Sequence, residues 1–228
     1  VRLPIRPRSL PAPVVSTPTF VQSKSGASPD AQVSSLQVTL DTAATAGNLL
    51  VIGACSDATI ATPSGWSLGA SAVSAQGAYL FYKIAAGGET TITVQPGVAR
   101  PCAMVAAEYS AIAASPLDQT VTAVFSGASS VSASPGTTPS TTQATELAVA
   151  AVCPHSFADN AQPVSPSWSN SYTGRGAATS AYTTVGAQNS GVFLADVVLT
   201  STGTTTTTAT WTNSSQDYGA ILATFKGA

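Results

Sequence analysis

Asn48-Leu49-Leu50-Val51-Ile52-Gly53-Ala54-Cys55 returns in the second half of the chain as Glu146-Leu147-Ala148-Val149-Ala150-Ala151-Val152-Cys153. Each is a short apolar run with turn residues outside it, which suits a strand covered on both faces or the middle of a sandwich. The parallel extends outward. A turn and Trp66 follow the first copy; a longer loop and Trp168 follow the second. Aromatic and aliphatic segments come next, Tyr79 to Ile84 and Val192 to Leu199, and then Thr-alternating segments, Thr90 to Val94 and Thr206 to Thr212. Each half closes on small residues ending in an aromatic, Cys102 to Tyr109 and Tyr218 to Phe225. The shared order predicts one duplicated unit; the period is too long, and the copies too few, for a solenoid.

Period-two alternation marks other strands, as in Leu36, Val38 and Leu40 or Ile92 and Val94, and Gly, Pro, Ser and Asn clusters separate them. The Ala-rich piece 103–114 has helical propensity but sits among turn signals at strand spacing, and is read as strand. The expected fold is an all-β, antiparallel, jelly-roll-like β-sandwich of two sequence-similar halves. They span about 31–112 and 143–228 and are joined by 113–142, where Val121, Val124 and Phe125 suggest a further strand. The sandwich occupies 19–228, behind an extended arm of residues 1–18.

Composition narrows the function classes. Charged residues are 8% of the 228, against a usual ~25%. About 60 residues are Ser or Thr and about 40 are Ala. A net charge of -2 gives no basic field for a phosphate backbone, so nucleic acid is not an expected partner. No run reaches the ~18 apolar residues of a membrane helix. With 44% hydrophobic residues the chain can build a core.

The arm carries Arg2, Arg6 and Arg8 among Leu3, Ile5 and Leu10, and five prolines fall within residues 1–18. Proline at this density forbids helix and favours a polyproline-like extension. No apolar run follows the arginines, so the segment is not read as a secretory signal. A first residue of Val fits a trimmed precursor or a GUG start read literally. Arg2, Leu3, Ile5, Arg6, Arg8 and Leu10 are the expected partner-docking residues.

Catalytic chemistry has little to stand on. His155 is the single histidine, in a stretch read as loop, with Asp159 or Asp57 as the orienting carboxylate of any Ser-His-Asp site. No G-x-S-x-G is present. The ten carboxylates are scattered, and Asp57 and Asp159, in equivalent loops, are each alone as calcium ligands. No catalytic residue, metal or cofactor is expected. Cys55, Cys102 and Cys153 lie in apolar runs and are read as buried thiols, the alternative being one disulfide and a spare thiol. Trp66, Trp168 and Trp211 are read as core aromatics. Tyr172 and Tyr182 are the expected exposed pair if a glycan is bound, and threonines 204–208 are read as the solvent face of a strand.

Ala46-Gly47-Asn48-Leu49-Leu50-Val51, Pro63-Ser64-Gly65-Trp66, Tyr82-Lys83-Ile84-Ala85, Glu108-Tyr109-Ser110 and Ser115-Pro116-Leu117-Asp118 together resemble a domain of bacterial surface proteins and tailed-phage virion proteins. Its pattern is similar to G-D-L-L-V, P-x-G-W, Y-Y-K-x-A, a Y-S-G-like strand end and N-P-x-D. Glu146 to Val152 and the ending Ala223-Thr224-Phe225-Lys226 resemble it too, so the likeness spans residues 30–227. The resemblance implies an all-β sandwich in an extracellular or virion setting and carries no catalytic residue; the arm lies outside it. The expected function is that of a non-enzymatic structural protein of a tailed-phage virion, a capsid decoration or head-fibre protein docked through its arm. Its expected partners are other virion proteins and further copies of itself, on the virion surface. The alternative is a minor tail or surface-adhesin module that binds host-surface polysaccharide.

Overall fold

The computed structural model describes residues 16–74, 76–127, 129–157, 162–183 and 188–228. Residues 1–15, with all six arm positions expected to dock a partner, lie outside the described residues. The Ser16 N–H donates to the Ala228 carbonyl at 2.6 Å, so the described chain begins beside its own C-terminus.

No helix occurs among the described residues. The first half contributes β1 (Thr19–Ala27), β2 (Leu36–Thr39), β3 (Leu49–Ser56), β4 (Ser67–Val73), β5 (Gly77–Ile84), β6 (Thr91–Val94) and β7 (Cys102–Ser110). The second contributes β8 (Ile112–Phe125), β9 (Ser130–Ala133), β10 (Glu146–Phe157), β11 (Val164–Trp168), β12 (Thr173–Thr179), β13 (Gln188–Leu199), β14 (Ala209–Ser215) and β15 (Asp217–Gly227). Two antiparallel five-stranded sheets result, in the orders β1-β7-β3-β5-β4 and β8-β15-β10-β13-β12. The orders correspond strand for strand. The small sheets correspond as well, β2-β6 to β9-β14, with β11 added at the far edge of β14.

The main sheets lie face to face, with β1 against β12, β7 against β13, β3 against β10, β5 against β15 and β4 against β8. Exchanging equivalent strands leaves this set of contacts unchanged, the signature of an approximate two-fold axis between β3 and β10. The alternation of the two central strands explains their unbroken apolar runs. Leu49, Val51 and Cys55 of β3 meet Leu147, Val149, Ala151 and Cys153 of β10 in the core between the sheets. Leu50, Ile52 and Ala54 point the other way, under Leu36, Val38, Ile92 and Val94 of the β2-β6 sheet. In the second half Val152, Phe193 and Ala220 lie under Ala133, Ala209 and Trp211. Each main sheet is thus covered on both faces.

At the axis an ideal Cβ on Gly53 would stand 3.2 Å from the Cβ of Ala151, its own equivalent. Two methyl groups meeting there would crowd the core, and glycine on one side removes the conflict.

The units run from β1 to β7 and from β8 to β15, which differs from the expected 31–112 and 143–228. The segment 113–142 holds the further strand expected at Val121, Val124 and Phe125, as part of the edge strand β8, and also the outer strand β9. Both β1 and β8 are half-exposed edges in which polar residues interrupt the apolar ones, so neither shows the unbroken apolar run that marks a central strand. Ala111, at φ 60°, turns the chain from the first sheet into the second.

Candidate functional site

Several side chains able to do chemistry are buried and bonded to groups of the body itself. Glu108 in β7, 0% exposed, accepts from Asn48 Nδ2 (2.6 Å), the Thr45 N–H (2.9 Å) and Gln22 Nε2 (2.6 Å). The second half reverses the arrangement. Glu146 occupies the place of Asn48, and its carboxyl accepts from the Gln143 N–H at 3.4 Å, as Glu108 does from Thr45. Glu146 is also buried beside Asp118; burial first, then the Asp118 charge, raises its pKa. Burial works against ionisation of Asp118 too, but hydrogen bonds from the Thr142 side chain and backbone and from Lys226 hold it at about 2. A carboxyl and a carboxylate with such opposed tendencies are the pattern of an acid/base pair. Here their bonds serve the scaffold, tying β10, β8 and the 142–143 turn together.

Arg175 joins Asp196 through two bonds, Nε to Oδ2 at 2.6 Å and Nη2 to Oδ1 at 2.9 Å. It stands at the bulge of β12 between Gly174 and Gly176, the place held by Gly69 in the bulge of β4. A bulge re-aims the side chain it carries. Here the guanidinium comes 4.1 Å over the Phe20 ring and Ser23 Oγ donates to the Arg175 carbonyl at 2.5 Å, closing β12 onto β1.

His155, expected in a loop, lies instead in β10, paired with Ser190 and Asp217. Pro154 beside it cannot donate to a ladder, and proline is rare in central strands. The β10–β13 pairing skips Cys153 and Pro154, and Gly191 faces the proline, where an added Cβ would stand 3.2 Å from its Cγ. His155 is 0% exposed, with Nδ1 3.5 Å from Asp217 Oδ2. Burial lowers its pKa to about 4 against the pull of Asp217, so the imidazole is neutral at pH 7. Neither expected orienting carboxylate serves it: Asp57 pairs with Arg100 at 3.2 Å, and Asp159 lies outside the described residues. Among the described residues no three His, Cys, Asp or Glu side chains form a metal cluster.

Cys55, Cys102 and Cys153 are free thiols and fully buried. Burial raises the pKa of Cys55 and of Cys102, which keeps both in the unreactive thiol form.

The expected glycan pair does not hold together. Tyr172 is 6% exposed, packed with Ala148, Ala150, Ala195 and Leu222, its hydroxyl 2.9 Å from Thr205 Oγ1. Asn170 and Ser171, at φ 56° and 62°, turn the chain so that the ring enters the core. Tyr182 is half-buried and exchanges backbone hydrogen bonds with the Asn189 side chain. The threonine run is a solvent face only at alternate positions: Thr204 is exposed and Thr206 and Thr208 are half-buried, whereas Thr205 and Thr207 are buried, and Thr207 Oγ1 donates to the Ser169 carbonyl at 3.1 Å. Trp211 is a core residue, and Trp168 packs under the same outer layer.

Trp66 is different. It is half-buried against the outer layer of the first half, and it lines an open groove of about 340 Å³ with Thr62, Ser64, Thr91, Thr93 and Gln95. The Pro63-Ser64-Gly65-Trp66 turn sets it there. The Trp66 N–H donates to the Pro63 carbonyl at 3.0 Å, and Gly65 takes φ 79°, which the third position of a type II turn requires. Sequence reading assigns Trp66 to packing because it and Trp168 occupy equivalent places in the two halves. No family model, no curated protein and no solved structure matches this chain.

Proposed function

We propose that this chain is a non-enzymatic structural protein of a tailed-phage virion, a decoration or fibre-like protein that docks through its N-terminal arm while the β-sandwich projects. The observation that carries the reading is the use of the polar groups. Glu108, Glu146, Asp118, Arg175, Asp196 and His155 all face partners inside the body and join strands to one another. Side chains bonded in this way stiffen a scaffold and leave little to meet a substrate. The resemblance of 30–227 to virion and surface-protein domains points in the same direction. An extended arm is a common means for one subunit to lie along another.

The test removes residues 1–15 and keeps Ser16, whose N–H holds the C-terminus. The truncated protein is expected to keep the melting temperature of the full chain and to lose incorporation into particles. Normal incorporation of the truncated protein would overturn the docking role of the arm.

A further inference from the structure

We propose that the groove beside Trp66 binds one ring of a neutral sugar. The inference does not depend on a virion setting.

The comparison between the halves shows that the fold does not require this opening. In the second half, β11 lies along β14 with Ser167 opposite Thr210 and Trp168 opposite Ala209. In the first half the strand equivalent to β14 is β6, whose only strand partner among the described residues is β2. The segment before Trp66 touches the β6 region beyond its end, through the Ile60–Pro96 bridge and the Gly97 N–H to the Thr59 carbonyl at 2.8 Å. Those contacts fix the wall of the groove, and no strand among the described residues covers the far edge of β6 beside it.

The lining suits a sugar ring. Thr62, Ser64, Thr91 and Thr93 bring hydroxyls and Gln95 an amide, beside apolar Ala61, Pro63 and Ile92, and no charged side chain lines it. Hydroxyl and amide groups both donate and accept, as sugar hydroxyls do. An indole supplies the apolar plate on which the C–H face of a pyranose rests, with a polar N–H at its rim. Lys83 sits 5.8 Å over the Trp66 ring and lines the neighbouring groove, not this one. The volume is at the lower end of the about 300–1,000 Å³ typical of small-molecule sites, which matches a single ring of a longer chain lying across an open groove.

The experiment titrates the full chain with neutral tetrasaccharides built on glucose, galactose, N-acetylglucosamine and rhamnose, read by amide chemical shifts and tryptophan fluorescence. At least one is expected to bind saturably, with shifts confined to 61–66 and 91–95. Trp66→Ala is expected to weaken it by about tenfold or more, the scale of one lost stacking contact. Trp66 also packs on the layer beneath, so Gln95→Ala, at an exposed position, provides a variant that leaves the fold intact and is expected to weaken binding several-fold. Deleting residues 1–15 is expected to leave sugar binding unchanged, which separates this test from that of the arm. The proposal is overturned if no tetrasaccharide binds, if both variants bind as the parent does, or if only an extended peptide copied from Val164–Trp168 adds to the β6 edge.

Discussion

Arg175→Ala is expected to destabilise the protein by about 3–5 kcal/mol, the range found when one partner of a buried ion pair is removed. Asp196 is 3% exposed and takes both of its short hydrogen bonds from the guanidinium. Without them a carboxylate is left in the core beside the Tyr109 hydroxyl, whose pKa is raised by burial and then by the charge of Asp196. The substitution also removes the cation stacked on Phe20, which seals β12 against β1. Stability is read by urea unfolding. Arg175→Ala combined with Asp196→Ala is expected to cost less than the two single changes added together, because the double variant buries no unpaired charge. Full additivity would contradict the pairing. Arg175→Lys is expected to fall well short of the parent, since an ammonium cannot make the two parallel bonds.

Acidification is expected to produce the second large effect. His155 has its pKa lowered to about 4 from an ordinary 6.5, with burial as the main cause. The unfolded chain therefore takes up a proton at a higher pH than the folded chain. The stability this represents is fully present above 6.5, is lost as pH falls from 6.5 to 4, and changes no further below that. The shift corresponds to about 3 kcal/mol. The Asp118 carboxyl, held at about 2 from an ordinary 3.8, loses its own contribution only in the lower window between those values. The two steps are thus separated in pH. With a single histidine in the chain, its imidazole resonances report the folded-state titration without ambiguity. They are expected to shift near pH 4, and His155→Gln is expected to flatten the stability profile between pH 6.5 and 4. Imidazole signals that titrate near 6.5 in the folded protein would contradict the burial of His155.

The central strands are legible in the sequence because they are covered on both faces. Leu49 to Cys55 and Leu147 to Cys153 must be apolar at every position, and that pattern is visible without any partner. The Ala-rich β7 is also readable, since its turn signals outweigh helical propensity. The edges are not. β1 is half-solvated, so its Ser and Thr look like connecting chain, and β8 shows only at its end, through Val121, Val124 and Phe125. His155 is misplaced by sequence alone because the glycine that makes room for Pro154 is Gly191, on another strand. Tyr172 reads as exposed because its neighbours are polar, while the backbone at Asn170 and Ser171 turns the ring inward. The Trp66 groove leaves no local sign either. Among the described residues β6 lacks the strand that β11 provides in the other half, and only the two sheets side by side reveal it.

The correspondence of the halves about an axis between β3 and β10 is the claim on which the fold account rests, and a double-mutant cycle at Gly53 and Ala151 tests it most directly. Gly53→Ala places a methyl 3.2 Å from the Ala151 Cβ and 3.1 Å from Leu194 Cδ1, and is expected to cost about 1–3 kcal/mol in urea unfolding. Adding Ala151→Gly moves the vacancy to the other side of the axis and is expected to restore at least about 1 kcal/mol of that loss. If Ala151→Gly instead adds its own cost in full to that of Gly53→Ala, the two positions do not meet and the face-to-face arrangement of the halves is wrong.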